Sequence, residues 1–272
     1  MEYTNAIFKN INAEQSEILI ALLSNIEYEA FAEADDSLTA SIPSSLFNES
    51  ELEAICRDLN VTYAIEVVKE QNWNAEWEKS FEPVIVEGFC TIRAHFHNME
   101  VNTTYDIVIT PRMSFGTGHH ATTQLMIETM KDISFAGKNV FDFGTGTGVL
   151  AILAEKLGAT NIIAIDNDAW SYSNAIDNCN QNACKHIQVS QGSLEDIDTG
   201  DFDVILANIN RHILLQYMSD MHRLLKHGGQ LLLSGILTED EHIIISDATS
   251  AGFQYISKKE KNNWLCILLT KA

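Results

Sequence analysis

The segment VFDFGTGTGVL at positions 140–150 constrains the fold more than any other part of this 272-residue chain. It reads as an apolar strand, a turn that contains Gly144, Gly146 and Gly148, and the start of an apolar helix. Glycine at such a junction lets the backbone turn tightly and approach a ligand without a Cβ atom in the way. The segment therefore predicts a strand–helix unit of a parallel sheet, with a ligand at the helix N-terminus.

The region from about position 139 onward alternates between strand and helix patterns. Helices are predicted to begin near positions 149, 169 and 211, between nearly continuous apolar strands, which indicates a parallel sheet covered on both faces. The tail FQYISKKEKNNWLCILLTKA predicts two antiparallel strands joined by a polar turn. The predicted fold class is α/β, a Rossmann-like, mostly parallel sheet with an antiparallel end hairpin. The strand segments are NVFDFG, NIIAID, IQVSQ, FDVILAN and GQLLLSGI.

The first part of the chain predicts a smaller unit. Residues 1–67 show the order β-α-β-β-α-β, which favours a ferredoxin-like α+β domain. Between 68 and 82, Trp73, Trp77 and Phe81 recur every four residues, which predicts a linker helix that Pro83 ends. We therefore divide the chain into a small domain at 1–67, a linker helix at 68–82 and a main domain at 83–272.

The charge balance limits the partners of the chain. Acidic residues outnumber basic ones by 38 to 17, and the net charge is −21. This charge disfavours direct nucleic-acid binding and favours a basic partner, although it also serves solubility. Five cysteines without a C-x-x-C spacing favour neither a disulfide framework nor a zinc site. No signal peptide is apparent and the run ILIALL is too short for a bilayer, so we expect a cytoplasmic protein with no membrane association. Nothing in the sequence suggests an obligate dimer, so we also expect a monomer.

Polar residues at two further strand ends complete a candidate ligand site. Asp166 ends the strand after the glycine turn, where a carboxylate accepts hydrogen bonds from ribose hydroxyls. Asn208 ends the fourth strand, so it meets Asp166, Gly144 and Gly146 at one sheet edge. The G-x-G-x-G spacing and the end hairpin favour S-adenosylmethionine over a dinucleotide. Asp142 and Asp168, which flank these strand ends, are candidates for either ligand contacts or turn caps.

A second Phe-Gly-Thr-Gly segment occurs earlier, in MSFGTGHHATT at 113–123. No buried strand leads into it, so we interpret it as a different part of the same site. Thr122 or Thr123 is expected to cap the helix that follows. His119 and His120 are adjacent and point in different directions, and no third ligand has a suitable spacing, so we expect no metal site.

Taken together, these segments resemble the ribosomal protein L-eleven (L11) methyltransferases of the PrmA type. The resemblance covers nearly the whole chain and implies a class I S-adenosylmethionine-dependent methyltransferase. It implies S-adenosyl-L-methionine as cofactor, with contacts from Thr123, Gly144, Asp166 and Asn208. It also implies that the small N-terminal domain recognises the substrate protein. The matching segments are WNAEWEKSFEPV, MSFGTGHHATT, VFDFGTGTGVLAI, AIDND, VILANI and GGQLLLSGIL, with the late Trp264.

The implied reaction is methyl transfer to lysine or α-amino groups of this ribosomal protein, which lies at the stalk base of the large subunit. We expect Asn208 to orient the amine, since an amide accepts an N–H bond but is not a base. The chain departs from the family pattern at Asn210, Arg211 and His212, beside the expected target amine. Two alternatives are a methyltransferase of another basic protein or small amine, and a non-catalytic S-adenosylmethionine-binding module of ribosome assembly.

Overall fold

The computed structural model describes residues 2–69, 81–111, 115–197 and 200–272. Contacts divide the chain into two compact units, Met1–Ser80 and Phe81–Ala272. Within the described residues, no helix is long and apolar enough to cross a membrane.

The first unit is a four-stranded antiparallel sheet with two helices. Its strand order is β2-β3-β1-β4, which confirms the predicted ferredoxin-like arrangement. Phe8, Leu19, Leu38 and Leu52 are completely buried between the sheet and the helices. The elements are β1 (Glu2–Lys9), α1 (Ala13–Ser24), β2 (Ala30–Ala34), β3 (Ser37–Pro43), α2 (Glu49–Leu59) and β4 (Tyr63–Lys69).

The boundary between the predicted domains falls close to the end of this unit. Strand β4 continues to Lys69, two residues past the predicted boundary at 67. Most of the predicted linker helix, including Trp73 and Trp77, lies outside the described residues. The division at 67 and 82 therefore stays a prediction.

The second unit alternates strands and helices as the sequence predicts. Helices α4, α5 and α6 begin at Val149, Ala169 and Arg211, which confirms the predicted starts. Its elements are β5 (Val84–Val86), β6 (Cys90–Ala94), β7 (Tyr105–Ile109), α3 (Ala121–Met130), β8 (Asn139–Phe143), α4 (Val149–Lys156), β9 (Asn161–Asp166), α5 (Ala169–Gln181), β10 (Ile187–Gln191), β11 (Phe202–Asn208), α6 (Arg211–Leu224), β12 (Leu225–Leu237), α7 (Glu241–Ser250), β13 (Phe253–Lys261) and β14 (Trp264–Lys271).

The main sheet has seven strands in the order β10-β9-β8-β11-β12-β14-β13. The first five are parallel, whereas β14 is antiparallel to both β12 and β13. This topology confirms the mostly parallel sheet with an antiparallel end hairpin. Since β8 lies in the middle of the parallel strands, the glycine turn that follows it lies at the centre of the sheet's carboxyl edge.

Apolar side chains cover both faces of this sheet. One core includes Leu125, Ile152 and Leu153 from α3 and α4, and the other includes Leu214 and Met218 from α6. These side chains are at most 1 % exposed. Burial on both faces explains why the parallel strands read as continuous apolar segments.

A three-stranded sheet, β5-β6-β7, is joined to α5 through asparagine side chains. The Asn178 Oδ1 atom accepts from the Thr110 backbone N–H at 2.8 Å, and its Nδ2 atom donates to the Thr147 carbonyl at 2.8 Å. Asn182 bonds to both the N–H and the carbonyl of Val108. The two asparagine side chains thus provide hydrogen bonds that a neighbouring strand would otherwise give to this segment. Asn178 also links the segment to the glycine turn through Thr147.

We predict that Asn178→Leu lowers the free energy of unfolding by roughly 2–5 kcal/mol, because buried backbone groups of Thr110 and Thr147 lose their partners. Urea unfolding followed by circular dichroism measures the change. Asn180→Leu is the matched control, since Asn180 is exposed on the same helix. Equal unfolding midpoints for the two variants would contradict the role of Asn178.

Candidate active site

A cavity of about 700 Å³ opens at the carboxyl ends of the parallel strands. This volume lies within the range of small-molecule sites, roughly 300–1,000 Å³. Its walls come from the strand ends of β8 to β12, the loop before α3, the first turns of α3 and α5, the first two turns of α6 and the start of β14. The lining residues are Phe115, His120, Thr122, Phe143, Gly144, Gly146, Asp166, Asn167, Ser171, Gly192, Ser193, Asn208, Ile209, Asn210, His212, Ile213, Tyr217, Gly235 and Trp264.

The two Phe-Gly-Thr-Gly segments contact each other beside this cavity. The Thr147 backbone N–H donates to the Phe115 carbonyl at 2.9 Å, and its hydroxyl donates to the Gly116 carbonyl at 2.7 Å. Gly146 has φ +57°, and a Cβ atom there would lie 2.3 Å from the Phe115 carbonyl oxygen. Glycine at this position therefore allows the loop before α3 to pack directly on the turn before α4.

The segment after β11 is wedged between two glycines. A Cβ atom at Gly144 would lie 2.3 Å from the Ile209 Cγ2 atom, and one at Gly235 would lie 2.3 Å from the Ile209 carbonyl oxygen. Ile209 is thus held from both sides by backbone without side chains. This contact sets the path of the chain from Asn208 into α6.

Asp166 lies at the end of β9 and lines the cavity, as its position in the sequence predicts. Its Oδ2 atom accepts from the Gly146 N–H at 2.9 Å, and its Oδ1 atom accepts from the Asp168 N–H at 3.0 Å. Each oxygen keeps acceptor capacity for a ligand hydroxyl. Asp168 instead caps α5 by accepting from the Ser171 N–H, and this bond lowers the pKa of Asp168 below its ordinary value.

Asn208 lines the cavity at the end of β11 and is 9 % exposed. Its Nδ2 atom donates to the Thr123 hydroxyl at 3.4 Å, while its buried Oδ1 atom has no hydrogen-bond partner among the residues that the structure describes. Thr123 is completely buried and does not line the cavity, whereas Thr122 does. Thr123 therefore orients the Asn208 amide, and its direct contact with a cofactor stays a prediction.

The start of α3 differs from the prediction. Its cap is His120, whose Nδ1 atom accepts from the Thr122 N–H at 3.4 Å, so the expected threonine cap is wrong. Thr122 and Thr123 belong to the first turn and are buried in the tertiary packing. The His120 ring packs against Trp264 and Phe115, with centroid distances of 4.6 and 5.2 Å.

The other candidate histidine has a different environment. The His119 Nε2 atom lies 2.7 Å from the Glu82 carbonyl oxygen, and its ring packs against Phe81 with a centroid distance of 4.5 Å. Across the described ranges, no group of three or more His, Cys, Asp or Glu side chains is arranged to hold a metal ion.

Asp142 lies behind the glycine turn, outside the cavity lining, and is 1 % exposed. Its Oδ2 atom accepts from the Thr145 hydroxyl at 2.6 Å, so it holds the turn. Burial raises the pKa of Asp142 to about 7, and the Thr145 bond opposes this rise.

Several lining residues were not selected from the sequence as site residues. Ser193 and Tyr217 come from the end of β10 and from α6, and Phe115 and His120 come from the loop before α3. A search for polar residues just after each strand of the sheet would have identified Ser193, which follows β10. No local pattern identifies Tyr217, because it lies in the second turn of an amphipathic helix.

The fold and this crevice define a class I S-adenosylmethionine-dependent methyltransferase. The family model described as ribosomal protein L11 methyltransferase (PrmA) matches residues 5–272. The chain is similar to the ribosomal protein L11 methyltransferase of Bacteroides thetaiotaomicron, with 39 % identity over 262 residues and 94 % of each protein covered. It is 39 % identical over 261 residues to that of Porphyromonas gingivalis, covering 93 % of this chain and 90 % of the relative. The chain belongs to the ribosomal protein L11 methyltransferase (PrmA) family.

Solved structures support the same fold. The crystal structure of ribosomal protein L11 methylase from Lactobacillus delbrueckii subsp. bulgaricus is 28 % identical, with a TM-score of 0.66, and covers 70 % of this chain and 99 % of that chain. A methyltransferase from Pyrococcus furiosus, at 18 % identity and a TM-score of 0.52, covers 60 % of this chain and 88 % of that chain, and is similar in fold alone.

The crevice fits S-adenosylmethionine. The cavity is large enough for a nucleoside with an amino-acid tail, and a carboxylate with free acceptor capacity stands at the end of β9. Glycine backbone at Gly144 and Gly146 forms the floor beside α4. The unpaired Asn208 Oδ1 atom needs a donor from a ligand or substrate, since a buried acceptor without a partner is unfavourable.

The raised pKa of Asp142 predicts a pH dependence of stability. A carboxyl whose pKa is higher in the folded than in the unfolded chain binds its proton more tightly when folded. The free energy of unfolding should therefore fall as the pH rises from about 4 to about 7, by at most roughly 4 kcal/mol.

Asp142→Asn should remove most of this fall, because an amide has no proton to lose. Chemical unfolding at a series of pH values measures it, with the exposed Asp201→Asn as control. If Asp142→Asn keeps the pH dependence of the unmodified protein, the assignment to Asp142 is wrong.

Proposed function

We propose that the protein transfers methyl groups from S-adenosyl-L-methionine to lysine or α-amino groups of ribosomal protein L11. The observation that carries this proposal is the Asn208 Oδ1 atom, which is buried and has no hydrogen-bond partner among the described residues, in a side chain that lines the same cavity as Asp166 and the glycine turn. A primary amine has N–H groups that could donate a hydrogen bond to this oxygen. Membership of the PrmA family supplies the substrate class.

S-Adenosylmethionine supplies an electrophilic methyl group on a sulfonium. The chain's own residues would bind this cofactor and orient the substrate amine. Asp166 would accept the ribose hydroxyls, and Gly144 and Gly146 would let the backbone approach the ligand closely. Thr123 would hold the Asn208 amide so that Oδ1 faces the amine.

An amine attacks only through its lone pair, so the site must accept the amine in its neutral form. Lysine has a pKa of about 10.4, so the neutral form near pH 7 is disfavoured by roughly 4–5 kcal/mol. Asn208 carries no charge and cannot stabilise an ammonium as a carboxylate would. Apolar neighbours such as Ile209, Ile213 and Trp264 also favour the neutral amine by removing water.

The N-terminal unit is proposed to recognise the substrate protein. Residues 2–69 contain 13 Asp and Glu side chains and only three Lys and Arg side chains. The edge strand β4 exposes Ile65, Val67 and Val68, with exposures of 38, 55 and 40 %. An acidic surface beside an apolar edge suits a basic protein with its own apolar patch.

The function is tested by incubating the purified protein with methyl-labelled S-adenosylmethionine and separated ribosomal proteins. Label should appear on L11, and mass spectrometry should locate it on amino groups. The rate should fall as salt rises to the physiological range, because screening weakens the encounter of acidic and basic surfaces. Label on RNA or on no component would contradict the proposal, and a rate insensitive to salt would contradict the electrostatic part.

The proposed roles of the two polar residues predict opposite kinetic effects. Asn208→Ala should lower kcat by about 10²-fold, because the amine loses its orientation, with little change in the Kd for S-adenosylmethionine. Asp166→Ala should instead weaken cofactor binding, as isothermal titration calorimetry measures. Equal losses of kcat and cofactor affinity in Asn208→Ala would contradict the orienting role.

A further inference from the structure

A substrate ammonium group must lose one proton before each methyl transfer, and the Asn208 amide cannot accept that proton. This point rests on the proposed function. A side chain that lines the same cavity and has a free basic atom is therefore required, or else water must take the proton directly. Among the described residues that line the cavity, four are titratable: His120, Asp166, His212 and Tyr217.

The His120 side chain already caps helix α3. Its Nδ1 atom accepts from the Thr122 N–H, so the hydrogen of the neutral ring is on Nε2. Accepting a further proton would require Nδ1 and would remove the helix cap. The ring is also packed between Phe115 and Trp264.

Asp166 and Tyr217 also have hydrogen-bond partners within the protein. Both oxygens of Asp166 accept backbone N–H groups, and this carboxylate holds the glycine turn. The Tyr217 hydroxyl donates to the Glu195 Oε1 atom at 2.8 Å. The remaining acceptor capacity of Asp166 is assigned to the ribose hydroxyls, and the Tyr217 hydroxyl is held by Glu195, so we assign the proton to neither group.

His212 is different from these three. It is the second residue of α6, four positions after Asn208, and it is exposed at the cavity wall. Within the described parts of the chain, its imidazole makes no hydrogen bond or ion pair. Histidine is the side chain that both accepts and releases a proton near neutral pH.

The chain path keeps His212 at this wall. Ile209 is wedged between Gly144 and Gly235, which sets where α6 begins. The neighbouring Arg211 forms an ion pair with the buried carboxylate of Asp240, so this cation is held by a residue outside the cavity lining.

We propose that His212 accepts the proton of the substrate ammonium and passes it to solvent. The ammonium N–H bond breaks and an imidazole N–H bond forms, which frees the nitrogen lone pair. The lone pair then forms the N–C bond while the methyl–sulfur bond breaks and its electron pair goes to sulfur. The imidazolium returns its proton to water through its exposed edge. In the described parts of the chain, the other charged or titratable groups around this wall are His120, Asp166 and the Arg211–Asp240 pair. Tyr217 lies further along α6 and donates to Glu195, which follows β10.

The experiment compares the pH dependence of kcat for the full chain and for His212→Gln, with L11 and S-adenosylmethionine as substrates. At pH 7 the variant should be slower by about 10²-fold, the lower range for general acid–base catalysis. The difference should become much smaller at about pH 11, where a free lysine amine with a pKa of about 10.4 is mostly neutral. The Kd for S-adenosylmethionine and the melting temperature should not change.

Two further measurements separate proton transfer from a structural role. Imidazole added to the buffer should restore part of the rate of His212→Ala at pH 7, because it replaces the missing base. His227→Gln is the matched control, since His227 is exposed at the start of β12, and it should behave as the unmodified protein.

An equal loss of rate at every pH, or no rescue by imidazole, would overturn the role of His212 while the proposed function stands. A variant as active as the unmodified protein at pH 7 would overturn it too. An unmodified protein that is inactive on L11 at every pH would overturn the proposed function, and the role of His212 with it.

Discussion

The hydrogen bonds from Thr147 to the Phe115 and Gly116 carbonyls are the contact on which the site depends. They join the loop before α3 to the turn before α4, so two segments about 30 residues apart are held together. Since α3 begins directly after this loop, the same contact sets the position of Thr123 against Asn208. Gly146 is essential to it, because any side chain there would meet the Phe115 carbonyl.

The charged and the uncharged polar groups of the site lie at different positions along the sheet edge. The carboxylate of Asp166 stands at the end of β9, whereas the uncharged amide of Asn208 stands at the end of β11, two strands away. A carboxylate next to the target amine would favour the ammonium, which cannot attack a methyl group. An amide there is compatible with the neutral amine, and this separation is what the proposed chemistry requires.

Much of the fold follows from local pattern. The strands of the parallel sheet and the starts of α4, α5 and α6 were predicted, because continuous apolar segments and glycine turns are local signals. The position of the three-stranded sheet β5-β6-β7 was not predicted, since it depends on Asn178 and Asn182 from a distant helix. The cap of α3 was predicted wrongly, because local preference favours threonine while packing buries both threonines.

The location of the candidate site was predicted from the sequence, whereas the ligand contacts of its residues stay predictions. Gly144, Gly146, Asp166 and Asn208 all line the cavity, as expected from strand ends that meet at one edge. Thr123 does not line it and instead contacts Asn208. The difference between Thr122 and Thr123 depends on how α3 is rotated about its axis, which no spacing in the sequence reveals.

The sequence by itself determined the order of the elements, the glycine turn and the acidic and amide strand ends. These properties depend on residues within a few positions of each other. Only the tertiary structure decided that Asp142 is buried behind the turn, that His120 caps a helix and that His212 lines the cavity without a hydrogen-bond partner among the described residues. The physical reason is that burial and hydrogen-bond partners come from segments far apart in the chain, such as Asn208 and Thr123, which are 85 positions apart.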